Sequence, residues 1–252
     1  MIQENLSHIL KKLPPEVTLV AVSKFHPVQR LMEAYDAGQR VFAESRPQEL
    51  AQKVPQMPSD VKWHFIGHLQ TNKLKLVLPY VTLVQSVDSE HLLQAISAWA
   101  VANNRTVDVL LELHLGSEET KQGFTEDEIL QIAPGAGTGS ENLRSSTSSL
   151  PLPSAAGPSH SWRHGRLQFS EPVPAPGVRI RGLMGMASNT DDMSVVEGEF
   201  AKIQALFNRI KAMGLPDFDQ LSIGMSNDWP HAVKHGATMV RIGTDIFGPR
   251  EY

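Results

Sequence analysis

The sequence Thr18-Leu-Val-Ala-Val-Ser-Lys24 has prolines close on both sides. A short apolar run bounded by turn residues is typical of a buried β-strand. Because side chains alternate along a strand, Val20, Val22 and Lys24 should share one face. If this face lines the inside of a barrel, Lys24 stands at the carboxyl end of the first strand, where barrel proteins build their sites.

Lys24 is the first candidate functional residue. An amine held among apolar groups loses part of its hydration, so more of it is present as the neutral nucleophile that forms Schiff bases. The alternative is a lysine that ends a strand in solvent, and the position alone favours that alternative. Other parts of the chain must decide between the two.

Composition limits the class of protein. The chain has 252 residues, of which 41% are hydrophobic, so it can bury one large core as a single domain. Its 23 basic and 27 acidic residues give a net charge of −4, which does not favour nucleic acid as a partner. The absence of cysteine excludes disulfides, thiolate catalysis and cysteine-ligated metal sites.

The sequence also gives expectations for location and assembly. The first residues, Met1-Ile-Gln-Glu-Asn-Leu6, lack the basic and apolar regions of a secretory signal. No apolar run is long enough to cross a bilayer, so we expect a cytoplasmic protein that does not bind membranes. No long exposed apolar surface is predicted, and we therefore expect a monomer.

Short apolar runs alternate with helical periodicity along the chain, and a helix is predicted over residues 2–13 at the amino terminus. The predicted strands are residues 18–24, 40–44, 63–68, 81–87, 107–114, 178–186, 218–225 and 238–242. Eight strands that alternate with helices pair in parallel and close into an α/β fold, the (β/α)8 TIM-type barrel. The alternative is an open doubly wound sheet, but no Gly-x-Gly-x-x-Gly turn follows the first strand.

The periodic pattern stops after strand five. Residues 134–176 are mostly Ser, Pro, Gly and Ala, with almost no aliphatic periodicity. A segment of this composition cannot bury enough apolar surface to order itself. We predict a low-complexity, disordered insertion within one domain that spans residues 1–252.

Two loops offer groups that bind anions. In a barrel, the loops after strands seven and eight commonly hold a phosphate group. Gly224-Met-Ser226 and Gly243-Thr244 lie at these two positions. Glycine lets an anion approach backbone N–H groups, and the two hydroxyls add donors. Either sequence alone is compatible with an ordinary turn, but their joint occurrence favours a phosphate site.

Arg241 is predicted to point into the barrel from strand eight, because Val240 and Ile242 occupy the other face. An unpaired buried charge is very costly, so the guanidinium needs a partner. One candidate is a heteroaromatic nitrogen of a bound cofactor, for which arginine is a permanent donor. The other is a buried carboxylate such as Glu44 or Glu112.

Two histidines and two lysines complete the candidates. His64 and His68 share a strand face, but a zinc site usually needs a third ligand and no HExxH helix is present. We therefore expect them to line the barrel or to hydrogen-bond its loops, and we predict no metal site. Lys73 and Lys121 follow strands three and five, where they could attract an anionic ligand or remain solvated.

Several short motifs resemble those of one family, in the same order along the chain. They are Ala21-Val-Ser-Lys24, His64-Phe-Ile-Gly67, Leu69-Gln70, Asn72-Lys73, Lys121 with Gly123, Gly182-Leu-Met184, Leu221-Ser-Ile-Gly-Met-Ser226, Val240-Arg-Ile-Gly-Thr244 and Ile246-Phe-Gly248. On these residues, the chain resembles the pyridoxal phosphate homeostasis proteins, single-barrel relatives of the amino-terminal domain of alanine racemase. The resemblance excludes the insertion.

The resemblance implies that Lys24 forms an internal aldimine with pyridoxal 5′-phosphate and that Arg241 faces the pyridine nitrogen. The residues implied around the phosphate are Ser222, Ser226, Gly243 and Thr244. The further implied cofactor contacts are His64, Met184 and Lys121. One departure is Ala43-Glu-Ser45, where the family often has Gly-Glu-Asn, so no cofactor contact is carried over to Ser45.

The implied function is that of a non-enzymatic binder. It would act as a carrier or reservoir of pyridoxal 5′-phosphate in vitamin B6 homeostasis, with pyridoxal-phosphate-dependent apoenzymes as partners. The alternative is a pyridoxal-phosphate-dependent amino acid racemase, which needs acid–base groups on both faces of its substrate. A third alternative, from the fold alone, is a phosphosugar-type barrel enzyme in which Lys24 forms a Schiff base with the substrate.

Overall fold

The structure, a computed structural model, describes residues 1–116, 122–133, 175–215 and 217–249. The predicted site residue Lys121 and residues 134–174 of the predicted insertion lie outside these described residues. Within the part of the chain that is described, no helix has both the length and the apolar character needed to span a membrane.

The protein folds as a closed barrel of eight parallel strands, which confirms the predicted fold class. The strands are β1 (Thr18–Val22), β2 (Val41–Glu44), β3 (Lys62–Phe65), β4 (Val81–Val87), β5 (Val107–Leu113), β6 (Val178–Gly185), β7 (Gln220–Ser222) and β8 (Met239–Ile242). Each strand pairs with its neighbours in chain order, and β8 pairs with β1 to close the barrel. Parallel pairing places the carboxyl ends of all eight strands at one end of the barrel.

The helices surround the barrel. They are α1 (Ile2–Lys12), α2 (Val28–Asp36), α3 (Pro47–Lys53), α4 (Leu74–Val77), α5 (Glu90–Ala102), α6 (Glu126–Ile132), α7 (Met193–Ala212), α8 (Trp229–Lys234) and α9 (Thr244–Phe247). The predicted amino-terminal helix is confirmed as α1, which packs against α2 and α9. Asn5 of α1 donates from Nδ2 to the Ile246 carbonyl at 3.1 Å, which ties the first helix to the last.

The core has two layers, as expected when side chains alternate along strands. Leu19 and Ala21 of β1 face outward and join the large layer between the sheet and the helices. Val20 faces inward and belongs to a smaller apolar cluster inside the barrel. The other buried members of the inner cluster are Ala43, Leu83, Leu110, Met184 and Met239. The alternation predicted for the first strand is therefore confirmed.

Strand β7 is shorter than the predicted residues 218–225, because it ends at Ser222. Gly224 takes a φ of +93°, and a Cβ at this position would lie 2.6 Å from the Cβ of Ala232. Its carbonyl accepts a hydrogen bond from the Arg241 backbone N–H at 2.9 Å. Only glycine fits this close approach without strain, so the chain leaves the regular strand and turns over the barrel end.

Gly182, in the middle of β6, offers a test of packing between strands. A Cβ at Gly182 would lie 1.7 Å from the Gln220 carbonyl oxygen of β7, so Gly182→Ala must push the strands apart. We expect Gly182→Ala to lower the free energy of unfolding by about 3 kcal/mol, the cost of overpacking a core. Chemical denaturation measures the change.

Gly198→Ala is the matched control. Gly198 lies in α7, where an added Cβ meets no atom within 4 Å. Because alanine is the better helix former, this variant should gain up to about 1 kcal/mol. Equal effects of the two substitutions would contradict the packing described for β6 and β7.

Candidate functional site

A cavity of about 340 Å³ opens at the carboxyl ends of the strands. Its walls come from the carboxyl-terminal parts of β1, β6 and β8, from the residues that follow β1, β3, β6, β7 and β8, and from the start of α7. Of the nine site residues predicted from the sequence, six line this cavity, namely Lys24, Met184, Ser226, Arg241, Gly243 and Thr244. The volume is within the range of small-molecule sites.

Lys24 stands two residues beyond the end of β1. Val22, the last strand residue, also lines the cavity, as expected for two residues on the same face. The lysine side chain is partly buried rather than fully exposed. The structure therefore agrees with the interpretation of Lys24 as an inward-facing residue and differs from the alternative of a lysine in open solvent.

The loops after β7 and β8 meet Lys24 at the same cavity. The first loop contributes Met225 to Asp228, and the second contributes Gly243 and Thr244. Asp228 shapes the first loop, since its Oδ1 accepts a hydrogen bond from the Met225 backbone N–H at 2.5 Å. Burial raises the pKa of Asp228 above its ordinary value, and this hydrogen bond opposes the rise.

Arg241 is buried in β8, and its guanidinium reaches two neighbouring strands. Nη1 donates to the Ser222 carbonyl at 2.8 Å and to Ser222 Oγ at 2.7 Å. Nη2 donates to the Gly185 carbonyl at 2.9 Å. Burial lowers the pKa of Arg241 to about 10, so the side chain stays charged at neutral pH.

Neither carboxylate proposed as a partner of Arg241 forms an ion pair with it. Glu44 is bound instead by Lys53, with Nζ 2.6 Å from Oε1. Glu112 faces the barrel interior, and burial, with Asp88 nearby, raises its pKa to about 7. It lies close enough to influence Arg241 electrostatically but makes no direct ion pair with it in the described part of the chain. Backbone and hydroxyl oxygens therefore take the place of a counter-ion.

A chain of hydrogen bonds supports Arg241 from below. Ser222 Oγ donates to Gln85 Oε1 at 2.7 Å, and Gln85 Nε2 lies 2.8 Å from His64 Nδ1. Since Nε2 of an amide is a donor, His64 Nδ1 is the acceptor and the ring is neutral. Burial lowers the pKa of His64 to about 4, which is consistent with this assignment. Ser222 and His64 thus lie beneath the cavity and are not among its lining residues.

The second predicted histidine has a different environment. His68 is half exposed, and its Nδ1 lies 2.8 Å from Asp88 Oδ2. Among residues 1–116, 122–133, 175–215 and 217–249, no group of three or more His, Asp and Glu side chains is arranged to hold a metal ion. Lys73 does not line the cavity either, because it lies in a 3-10 turn (Thr71–Lys73) ahead of α4.

Sequence reasoning missed several polar residues of the site. Gln85 occupies an inward position of β4, two residues after the inward-facing Leu83, and a polar residue in that register could have signalled a buried network. Asp228 directly precedes Trp229-Pro230, a combination typical of a helix start. The loop after β6, which adds Ser188, Asn189 and Thr190 to the cavity wall, had no sequence signal.

Comparisons with known proteins agree with this geometry. Residues 1–146 match the family model of the alanine racemase N-terminal domain. A pyridoxal phosphate homeostasis protein of Pasteurella multocida is 33% identical over 100% of this chain and 95% of its own length. A protein of the same name from Schizosaccharomyces pombe is 32% identical over 93% of this chain and 84% of its own length.

Solved structures give the same result. PipY of Synechococcus elongatus, determined without PLP and with PLP bound, is 30% identical and superposes with TM-scores of 0.79 and 0.78, covering 98% of this chain and 100% of PipY. Alanine racemase of Clostridium difficile, at 12% identity, a TM-score of 0.69 and 57% coverage of its own chain, shares the fold.

The fold and the cavity define a barrel protein of the alanine racemase N-terminal type. Within this class, the relatives that match this chain over most of its length, at 32% and 33% identity, carry the same name. The chain belongs to the pyridoxal phosphate homeostasis protein family.

Because His64 is buried and neutral, we expect the stability of the folded protein to depend on pH. Its pKa falls from an ordinary 6.5 to about 4 on folding. Between pH 6.5 and pH 4, the histidine is therefore protonated in the unfolded chain but neutral in the folded protein. At 1.36 kcal/mol per pH unit, this histidine costs the protein about 3 kcal/mol of stability as the pH falls from 7 to 4. The His64→Gln variant does not have this loss. The difference in unfolding free energy between the wild type and His64→Gln should therefore be smaller at pH 4 than at pH 7.

Urea unfolding at both pH values measures the difference. Other groups titrate equally in both proteins, and comparing the two removes their contribution. A difference in unfolding free energy that does not change with pH would contradict a neutral His64 in the folded state.

Proposed function

We propose that the protein binds pyridoxal 5′-phosphate in the cavity at the carboxyl end of the barrel and holds it covalently through Lys24. One observation carries the proposal. The amine of Lys24, the guanidinium of Arg241 and the small hydroxyl-bearing loops after β7 and β8 all line one cavity of about 340 Å³. Two cations and several donors suit a small anionic ligand with a reactive carbonyl group.

The relatives support this ligand. PipY, which is 30% identical over 98% of this chain, has a structure with PLP bound. The relatives from Pasteurella multocida and Schizosaccharomyces pombe carry pyridoxal phosphate homeostasis in their names. When bound, the cofactor supplies an aldehyde that reacts with amines and a ring that can accept electrons.

The proposed covalent step is simple. As the resemblance implies, Lys24 would hold the cofactor covalently, since its amine could bond to the aldehyde carbon with loss of water. Lys24 is partly buried at the wall of the cavity, so its side chain is within the site that would hold the cofactor.

Other residues are proposed to bind and orient the ligand. Ser226, Gly243 and Thr244 would donate hydrogen bonds to the phosphate group. Arg241, charged and held by Ser222 and Gly185, would donate to the ring nitrogen.

The four remaining predicted contacts take different places in the proposal. Met184 provides an apolar wall of the cavity. Ser222 and His64 act indirectly, through the hydrogen-bond chain that orients Arg241. Lys121 lies outside the described residues and stays a prediction of the resemblance.

We further propose that the protein is a carrier without substantial catalysis. A racemase needs two acid–base groups on opposite sides of its substrate. The ionisable side chains that line the cavity, within the described part of the chain, are Lys24, His26, Asp228 and Arg241. The His26 ring packs against the Phe247 ring, with 4.9 Å between the ring centroids, and Asp228 accepts a hydrogen bond from the Met225 backbone N–H. Arg241 stays protonated, so we assign no second base to act with Lys24 among these cavity residues.

The same proposal extends to the setting in which the protein works. We propose one domain that acts as a monomer in the cytoplasm and supplies cofactor to pyridoxal-phosphate-dependent apoenzymes. The absence of cysteine and the modest net charge of −4 are consistent with a reducing compartment and with no nucleic-acid partner.

Borohydride reduction tests the covalent link. The purified protein mixed with pyridoxal 5′-phosphate should show the yellow band of a Schiff base, and reduction should leave the cofactor on Lys24 in a peptide map. Lys24→Ala should lose the band while it retains some cofactor non-covalently. Lys73→Ala, which alters a lysine outside the cavity, is the control. Label on another lysine in the wild type would contradict the assignment.

The phosphate contacts have their own test. Ser226→Ala and Thr244→Val should each raise the cofactor Kd about tenfold, because a hydrogen bond to a charged group is worth about 1.5 kcal/mol. Equilibrium dialysis measures the change, and Thr82→Val on the outside of β4 serves as an isosteric control. Unchanged retention in both loop variants would overturn the phosphate assignment.

Chiral assays of amino acids with the loaded protein separate carrier from racemase. Interconversion of L- and D-alanine or serine should be negligible. Turnover at ordinary enzyme rates, about 1 to 1,000 per second, would reject the carrier interpretation and favour the racemase.

A further inference from the structure

Beneath the loop that carries Lys24 lies a buried group of charged side chains, which we call the carboxylate–lysine cluster. It consists of Glu44 at the end of β2 and of Glu49 and Lys53 on α3. Lys53 Nζ lies 2.6 Å from Glu44 Oε1 and 3.0 Å from Glu49 Oε2. Glu44 is fully buried, and the side chain of Lys53 is 9% exposed.

The cluster binds the residues on both sides of Lys24. On one side, Ser23 Oγ donates to Glu44 Oε1 at 2.7 Å, and Lys53 Nζ donates to the Ser23 carbonyl at 2.9 Å. On the other side, the Phe25 backbone N–H donates to Glu49 Oε2 at 3.0 Å. Two of these three hydrogen bonds therefore hold the backbone on either side of the lysine, at the Ser23 carbonyl and the Phe25 N–H, and the third holds the Ser23 side chain.

Phe25 adds a second, independent observation. Its φ is +68°, in the left-handed region that a bulky residue rarely adopts. Such a conformation persists only when the surroundings impose it, and it is concentrated at functional sites. Glu49 holds the Phe25 N–H, and Arg46, which pairs with Glu49 at 3.7 Å, lies 4.2 Å from the centre of the Phe25 ring.

Stability of the core alone does not explain the carboxylate–lysine cluster. Apolar residues of similar volume usually stabilise a protein as well as a buried ion pair, or better. Glu44 Oε2 is buried and, among the described residues, accepts no hydrogen bond. Burial raises the pKa of Glu44 to about 7, although Lys53 and Ser23 oppose the rise. A role in fixing the local backbone geometry therefore explains the buried Glu44 better than a contribution to stability does.

We propose that the carboxylate–lysine cluster is a positioning device, in which Glu44, Glu49 and Lys53 lock the backbone of residues 23–25 and so aim the amine of Lys24 into the cavity. The three residues act through the backbone and do not touch the ligand. This inference rests on the proposed function, because it assigns the cluster a role in presenting the amine that bonds the cofactor.

Glu49 is the best residue to test, since it is the most exposed member and contacts the strained residue directly. Glu49→Ala removes the acceptor of the Phe25 N–H. We expect the equilibrium constant for Schiff base formation, read from the absorbance band, to fall about tenfold, the effect of one lost hydrogen bond to a charged group. Glu49→Gln keeps an acceptor oxygen at this position, so it should recover most of the loss.

A control separates positioning from general destabilisation. Asp108 pairs with Arg179 at 2.7 Å and with Arg181 at 3.2 Å near the start of β5 and β6, at the opposite end of the barrel. Asp108→Asn weakens an interstrand ion-pair network that is more exposed than the carboxylate–lysine cluster, and it should leave the absorbance band unchanged.

Hydrogen exchange gives a readout that needs no cofactor. In the apoprotein, Glu49→Ala should speed exchange of the Phe25 amide at least tenfold, whereas Asp108→Asn should not. Lys53→Met alone would leave the buried Glu44 carboxylate and the partly buried Glu49 carboxylate without their cation, so this single variant is not a clean test. The double variant Glu44→Gln/Lys53→Met removes both charges and should show the same weak Schiff base as Glu49→Ala.

The outcomes distinguish the two claims. Weak Schiff base formation and fast Phe25 exchange in Glu49→Ala, with recovery in Glu49→Gln and a normal control, support the positioning role. A normal Schiff base band in Glu49→Ala, with the wild type labelled at Lys24, overturns the positioning role and leaves the proposed function intact. A wild type that forms no adduct at Lys24 overturns the proposed function and the positioning role together.

Discussion

The pairing of β1 with β8 is the interaction on which the site depends. Val20 lies opposite Arg241 and Ala21 opposite Ile242, so residues more than 200 positions apart share one parallel ladder. The ladder brings the end of β1 beside the loop that follows β8, where a Cβ on Gly243 would lie 3.2 Å from the Val22 carbonyl oxygen. Lys24 and Thr244 therefore reach one cavity only because the barrel closes.

Two buried charged groups flank the cavity, and the protein satisfies them in different ways. Arg241 has no carboxylate partner and is held by the Ser222 hydroxyl and by two carbonyl oxygens. Lys53 is held by two carboxylates and one carbonyl. The first arrangement leaves a net positive charge facing the cavity, which suits an anionic ligand. In the second arrangement, the charge of Lys53 is paired below the loop that carries Lys24, where it can hold the backbone of that loop.

Much of the fold could be predicted because each unit repeats a local pattern. The first strand was recognised from its apolar run and flanking prolines, and the predicted amino-terminal helix is confirmed as α1. Strand β7 is shorter than predicted, because Gly224, with a φ of +93°, turns the chain away from the strand direction soon after Ser222. Local patterns do not reveal where tertiary contacts interrupt an element.

By itself, the sequence determined the barrel, the strand face that Lys24 shares with Val20 and Val22, the inward direction of Arg241, and the two glycine-containing loops, because these follow from periodicity and turn chemistry. Only the tertiary structure decided which oxygens hold Arg241, that Gln85 links Ser222 to His64, and that Glu44, Glu49 and Lys53 bind both neighbours of Lys24. These contacts join side chains from different strands and helices. Their partners are chosen by the register and twist of the closed sheet, which no local pattern specifies.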